Sequence, residues 1–196
     1  MNTNFKYFAE IVLSASKNRF FIISIILLSF CTRLRAEIHT GSCGTNVTWA
    51  FNTETGILAI SGTGNMADYS YSNQPWYSYR SQISSIKINE GVTNIGKYAF
   101  YSTWASSVSI ASSITEIKDY AFKYCEFTSI TIPKSVISIG EGAFSGTGLT
   151  GIDIPDTVTS IGPQAFKYCK DLTNAKEASI FYKNNRNKAQ KQRDVV

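Results

Sequence analysis

Apolar and polar positions along this chain repeat at two nested periods. The longer is 22 residues: Phe100, Phe122, Phe144 and Phe166 follow Ala99, Ala121, Ala143 and Ala165. Four more apolar columns keep the same step, Ile86/Val108/Ile130/Ile152, Ile88/Ile110/Ile132/Ile154, Val92/Ile114/Val136/Val158 and Ile95/Ile117/Ile139/Ile161. A fixed period of this length marks a solenoid, because one unit cannot bury its own apolar face and stacked neighbours must make the core. The shorter period is two residues. The I-x-I opening alternates and is β-branched, which predicts a short strand with both isoleucines inward and the residue between them outward. Strands of successive coils then lie side by side in parallel. The pattern predicts a short α/β solenoid of about four coils, 85–107, 108–129, 130–151 and 152–175.

A glycine follows the fourth column at Gly96, Gly140 and Gly162, with Lys118 in the second unit, and a turn of positive φ is expected there. The Ala-Phe pair is expected on a short helical or 3₁₀ turn, its rings stacked as an interior ladder with no ligand site implied. The segment 41–84 reads as an N-terminal cap. Residues 47–52 and 56–61 alternate as a β-hairpin, and Pro75 opens a helix over about 76–83, since proline suits a first helical turn. Trp49, Trp76 and Tyr77 then cover the open edge of the first coil. Past Leu172 the apolar columns stop, and 176–196 is a basic segment with little capacity to bury surface, hence expected to be disordered.

The segment Ile130-Thr-Ile-Pro-Lys-Ser-Val-Ile-Ser-Ile-Gly-Glu-Gly-Ala-Phe144 is echoed by Ile152-Asp-Ile-Pro-Asp-Thr-Val-Thr-Ser-Ile-Gly-Pro-Gln-Ala-Phe-Lys-Tyr-Cys169. Both closely resemble the BspA-type leucine-rich repeat, I-x-I-P-x-x-V-x-x-I-G-x-x-A-F-x-x-C-x-x-L. The stretch from Gly41 to Trp76 looks like the segment that often precedes such repeats, so the resemblance covers about 41–175. Two columns depart from it, Thr103/Cys125/Thr147/Cys169 and Asn89/Ala111/Pro133/Pro155. The resemblance implies a leucine-rich-repeat solenoid on a secreted or surface-displayed bacterial or protist protein, whose relatives are associated with adhesion to host or matrix proteins.

Residues 20–31 form an apolar run preceded by Lys17 and Arg19. Twelve helical residues reach about 18 Å against the ~30 Å of a bilayer core, which favours a signal peptide over a spanning helix. Small residues at Ser29 and Cys31 allow cleavage after Cys31, whereas cleavage after Ala36 puts the bulky Leu34 three residues before the bond; an uncleaved signal anchor in 1–36 is the alternative, the one way in which the chain would meet a membrane. The formal charge is +5, from 19 Lys+Arg and 14 Asp+Glu. Residues 1–36 hold five basic and one acidic residue, leaving 14 against 13, or +1, so no nucleic-acid partner is expected. Cys125 and Cys169 occupy one column two rungs, about 10 Å, apart, too far for a disulfide, and are expected to be buried thiols.

Two surfaces remain once the columns are assigned to the core. The strand face carries Lys87, Ser109, Thr131 and Asp153, small and polar. The opposite flank carries Tyr98, Tyr101, Tyr120, Tyr124 and Tyr168, in or beside the Ala-Phe turns. Asn46-Val-Thr48 is an N-glycosylation sequon, meaningful on the secretory pathway of a eukaryote. No catalytic, cofactor-binding or metal-binding residue is expected, since the one histidine, His39, lies outside the repeats. The sequence therefore predicts a non-enzymatic secreted or surface-associated protein that binds an extracellular or host-surface protein. The alternative is a truncated structural, self-associating array without a ligand of its own.

Overall fold

The structure, a computed structural model, describes residues 36–170 and 172. The chain divides into the units Met1–Ala36 and Glu37–Val196, and the described architecture belongs to the second. The expectations for a leader at 1–36 and a tail at 176–196 thus lie outside the described residues, Ala36 apart. Among the described residues no helix is long and apolar enough to cross a membrane.

An antiparallel meander comes first: β1 (Ile38–Ser42), β2 (Val47–Asn52) and β3 (Ile57–Gly62). Alternation along β2 buries Val47, Trp49 and Phe51 and exposes Thr48. Asn52 Oδ1 accepts the backbone N–H groups of Glu54 and Thr55, and Gly56 closes the turn at φ 67°. The expected hairpin is there, shifted by one residue. The third strand, β1, carries no apolar run, and its pairing with β2 is what makes it a strand.

β3 pairs in parallel with β5 (Ser85–Ile88), and β5 with β7 (Ser107–Ser109). A second parallel sheet runs along the fourth apolar column and was not anticipated. It stacks β10 (Ser160–Ile161), β9 (Ser138–Ile139), β8 (Glu116–Ile117), β6 (Val92–Ile95) and β4 (Gly64–Asn65) in that order. The end of the meander is therefore a rung of the solenoid itself, in register with the first repeat. In the third and fourth coils the first strand shrinks to the bridge Thr131↔Asp153. Proline explains the loss: the Asn89 N–H donates to the Ile60 carbonyl at 3.0 Å, and Pro133 and Pro155 have no N–H to offer there.

The α/β expectation is corrected, because no α-helix occurs among the described residues. A 3₁₀ turn, Tyr77–Tyr79, stands where a helix over 76–83 was expected. The Ala-Phe segment is a run of turns. The N–H groups of Ala99, Tyr101 and Thr103 donate to carbonyls three residues back, while those of Tyr98, Phe100 and Ser102 donate to Asp119, Ala121 and Lys123 of the next coil. Alternate donors point along the solenoid, so the i→i−4 ladder of an α-helix cannot form.

The interior ladder is one ring longer than the phenylalanine column. Trp76 stacks on Phe100 at 5.6 Å, and Phe100, Phe122, Phe144 and Phe166 follow at 5.3, 5.5 and 5.4 Å. Beside it runs a buried column, Ala105, Phe127 and Leu149, which the sequence hid because its residue types vary. The glycine column is corrected too: none of Gly96, Gly140 and Gly162 has positive φ. A Cβ there would collide with the backbone of the preceding rung, at the Ala67 oxygen, the Asp119 nitrogen and the Glu141 nitrogen respectively. Close approach of coils, not turn geometry, demands glycine at these three positions.

Candidate interaction surfaces

The parallel register lines up the predicted strand-face residues. Ala59, Lys87 and Ser109 are neighbours across β3, β5 and β7, and Thr131 is bridged to Asp153. All four predicted residues are exposed. The meander extends the row with Thr40, Ala50 and Ala59. The result is a flat face of small side chains around one lysine and one aspartate, with no aromatic anchor in the row.

The tyrosine flank is built by backbone conformation. Each coil places two residues in the left-handed region, two before and two after its phenylalanine. The first set is Tyr98, Tyr120, Gly142 and Gln164, at φ 54, 57, 56 and 60°. The second is Ser102, Tyr124, Gly146 and Tyr168, at φ 55, 62, 72 and 65°. Such φ values suit Gly, and Asn or Asp next, and cost a bulky residue of order 1–3 kcal/mol. Four of the eight are tyrosines nonetheless. Their rings lean onto the next coil. A Cβ on Gly142 would run into the Tyr120 ring, and one on Gly146 into that of Tyr124.

These tyrosines form a connected cluster. Tyr98 stacks on Tyr120 at 4.9 Å and meets Tyr101 at 5.6 Å, and Tyr101 meets Tyr124 edge-on at 5.7 Å. The cap adds Tyr71, 6.3 Å from Tyr101 and 62% exposed, which the sequence reading missed in its Tyr/Ser/Asn-rich loop. Burial, then Tyr124, Tyr98, Tyr77 and Tyr71, push the Tyr101 phenol above its ordinary value. Tyr168 stands apart from these rings, 62% exposed beneath the Lys167 ammonium.

Toward the second sheet the flank borders an open groove of about 460 Å³ lined by Asp68, Lys97, Glu116, Lys118, Asp119 and Glu141 among others. Its charges are largely paired: Lys118 with Asp68 at 3.1 Å and Lys97 with Asp119 at 3.5 Å. The Tyr120 hydroxyl donates to Glu141, and this bond pushes the phenol up to about 12. Cations also lie over rings: the groove's Lys97 over Tyr98 at 5.8 Å, Lys123 over Tyr120 and Tyr124 at 5.2 and 5.0 Å, Lys167 over Tyr168 at 4.8 Å and Arg80 over Tyr77 at 4.3 Å.

The remaining candidates are placed as follows. Asn46 is exposed in the bend before β2. Cys43, Cys125 and Cys169 are buried free thiols. Cys125 Sγ donates to the Phe100 carbonyl at 3.1 Å, and Cys169 Sγ does the same to Phe144. Thr103 and Thr147 donate to those same two carbonyls, so the alternating Thr/Cys column is internally satisfied. His39 stacks on Tyr79 at 4.4 Å. Among the described residues no group of three or more His, Cys, Asp or Glu could hold a metal ion.

Residues 69–187, well over half the chain, match the family described as the BspA type leucine rich repeat region, six copies. The chain belongs to that family. A BspA-type chain of this length also finds its fold among solved structures. A leucine-rich repeat protein from Eubacterium ventriosum is 26% identical, with a TM-score of 0.58, over 69% of this chain and 43% of that one. The leucine rich repeat protein of T. pallidum is 20% identical at a TM-score of 0.50, over 63% and 65% respectively. One from Bacteroides ovatus is 24% identical at 0.45, over 66% and 39%. This BspA-type chain spans less than two thirds of each. None of the curated proteins matches it.

Proposed function

We propose that this chain is a non-enzymatic, secreted or surface-associated BspA-type repeat protein that docks an extracellular or host-surface protein on its tyrosine flank. The observation that carries the reading is the set of four tyrosines held in left-handed backbone. Glycine would satisfy that backbone at lower cost, as it does at Gly142 and Gly146, so the rings serve a purpose other than the turn. Tyrosine offers a large amphipathic contact with few rotatable bonds, which suits docking. The strand face has no comparable anchor.

The test is binding of the purified full chain to a panel of purified matrix and host-surface proteins. A Tyr101→Ala/Tyr124→Ala variant should lose the binding, and a Lys87→Ala/Thr131→Ala/Asp153→Ala variant should keep it. The reverse outcome would move the docking face to the strands. If no protein binds and light scattering shows concentration-dependent oligomers, the self-associating array replaces this reading.

A further inference from the structure

The flank is not electrically uniform, and its chemistry narrows the partner. On the groove side, lysines pair with carboxylates and Glu141 takes the Tyr120 hydroxyl. On the far side, the sequence Phe-Lys-Tyr-Cys occurs twice, at 122–125 and 166–169. In both copies the ammonium lies over the following tyrosine ring, at 5.0 and 4.8 Å, and that tyrosine has positive φ; Lys123 also lies 5.2 Å from the centre of the Tyr120 ring. The coil between them reads Phe144-Ser-Gly-Thr147, with neither lysine nor tyrosine. Two Lys-Tyr pairs thus recur at alternate coils, about 10 Å apart at the spacing of stacked strands. Arg80 over Tyr77 adds a third cation at the cap.

On each of the following rings one face is already covered. Tyr98 and Tyr120 cover each other, and Lys123, Lys167 and Arg80 lie over Tyr124, Tyr168 and Tyr77. This leaves ring edges, phenol hydroxyls and cations to face outward. A sugar that stacks on an open aromatic face is poorly served by such a surface; a carboxylate, which accepts from both ammonium and hydroxyl, is well served.

Resting on flank docking, we propose that the two Lys-Tyr pairs, Lys123-Tyr124 and Lys167-Tyr168, grip an acidic segment of a protein partner lying along the solenoid axis. The spacing defines the segment. In a polyproline II strand, three residues rise about 9.3 Å and return side chains to one face, so an acidic residue at every third position meets successive pairs. Each carboxylate takes one lysine and one tyrosine hydroxyl.

The probe is a fluorescein-labelled peptide of repeated Pro-Pro-Glu, with Pro-Pro-Gln and the frame-shifted Pro-Pro-Pro-Glu as controls, titrated into the purified full chain by anisotropy. The Glu peptide should bind at least about tenfold tighter than either control and weaken as salt rises past the screening range. Lys123→Glu with Lys167→Glu should abolish the difference. Both lysines are on the surface, and circular dichroism checks that the variant folds. Equal binding of the Gln peptide, or binding that survives the double reversal, overturns the proposal. So does a heparin oligosaccharide that binds through the same lysines while the Glu peptide does not. Capture of a host-surface protein that survives the reversal but fails with Tyr101→Ala/Tyr124→Ala sinks the acidic segment and leaves flank docking intact. Capture indifferent to both variants sinks both.

Discussion

The phenylalanine ladder and the left-handed tyrosine columns come from the same six or so residues of each coil, yet they obey different rules. The interior column is Phe in every coil, and its rings stack nearly parallel at 5.3 to 5.5 Å. The two left-handed columns hold Tyr, Ser, Gly and Gln, although their φ angles agree within 18°. The ladder position is Phe in all four repeats because each ring is stacked on its neighbours, whereas the buried column beside it is filled by Ala105, Phe127 and Leu149 in turn. A surface position with fixed backbone constrains only φ, and what the side chain adds outward is free to differ between coils. Variation inside must still fill the core, whereas variation on the flank is free to serve what lies outside.

The contrast can be broken or sharpened by substitution. Phe122→Ala should cost about 3–5 kcal/mol, since Phe122 is fully buried between Phe100 and Phe144, and thermal or urea melts will read it. A loss under about 1 kcal/mol would mean that the coils collapse around the gap and the ladder is less rigid than drawn.

Alkaline titration probes the interior by another route. Burial pushes the Cys43 and Cys125 thiols up from 9.0 to about 12. A raised folded pKa means that the folded state holds the proton more tightly, so this stabilisation is complete below pH 9 and is lost as pH climbs toward 12. The unfolding midpoint should fall across that window, and less steeply in a Cys43→Ala/Cys125→Ala variant. A midpoint flat to pH 11 would contradict the burial.

Gly140→Ala should cost about 1–3 kcal/mol by overpacking against the Asp119 backbone, although its φ is ordinary. A neutral result would mean that the coils make room for a Cβ there, as they do at Lys118 in the second unit. Ser102→Gly tests the flank backbone alone: it removes a left-handed penalty and should stabilise by about 1 kcal/mol. If Ser102→Gly destabilises instead, side chains in that column support the fold, and Tyr124 and Tyr168 lose their claim to be there for a partner.

Much of this architecture was legible in advance. The inward isoleucines and the phenylalanine stack follow from columns that a 22-residue step makes visible. What escaped had no local signature. β1 becomes a strand by pairing with β2, and Trp76 joins the ladder by position rather than by register in the sequence. The second sheet along Ile95, Ile117, Ile139 and Ile161 uses strands of two to four residues, too short for alternation to show. An α-helix is excluded in the first three Ala-Phe segments because alternate backbone donors are claimed by the next coil, while the others close the i→i−3 turns of the 3₁₀ alternative. For the surfaces, the sequence placed the strand row and the tyrosines, while Tyr71 and the cations over the rings appear only in three dimensions.

By itself the sequence determined the repeat, its period and the interior place of the uniform apolar columns, because burial of such a column is a property that each coil shares with its neighbours. Tertiary structure alone decided why the glycines are glycines, which tyrosines bear left-handed strain and where the lysines come to rest. Those depend on contacts between coils 22 residues apart in the chain and one strand spacing apart in space, a distance that no local pattern encodes.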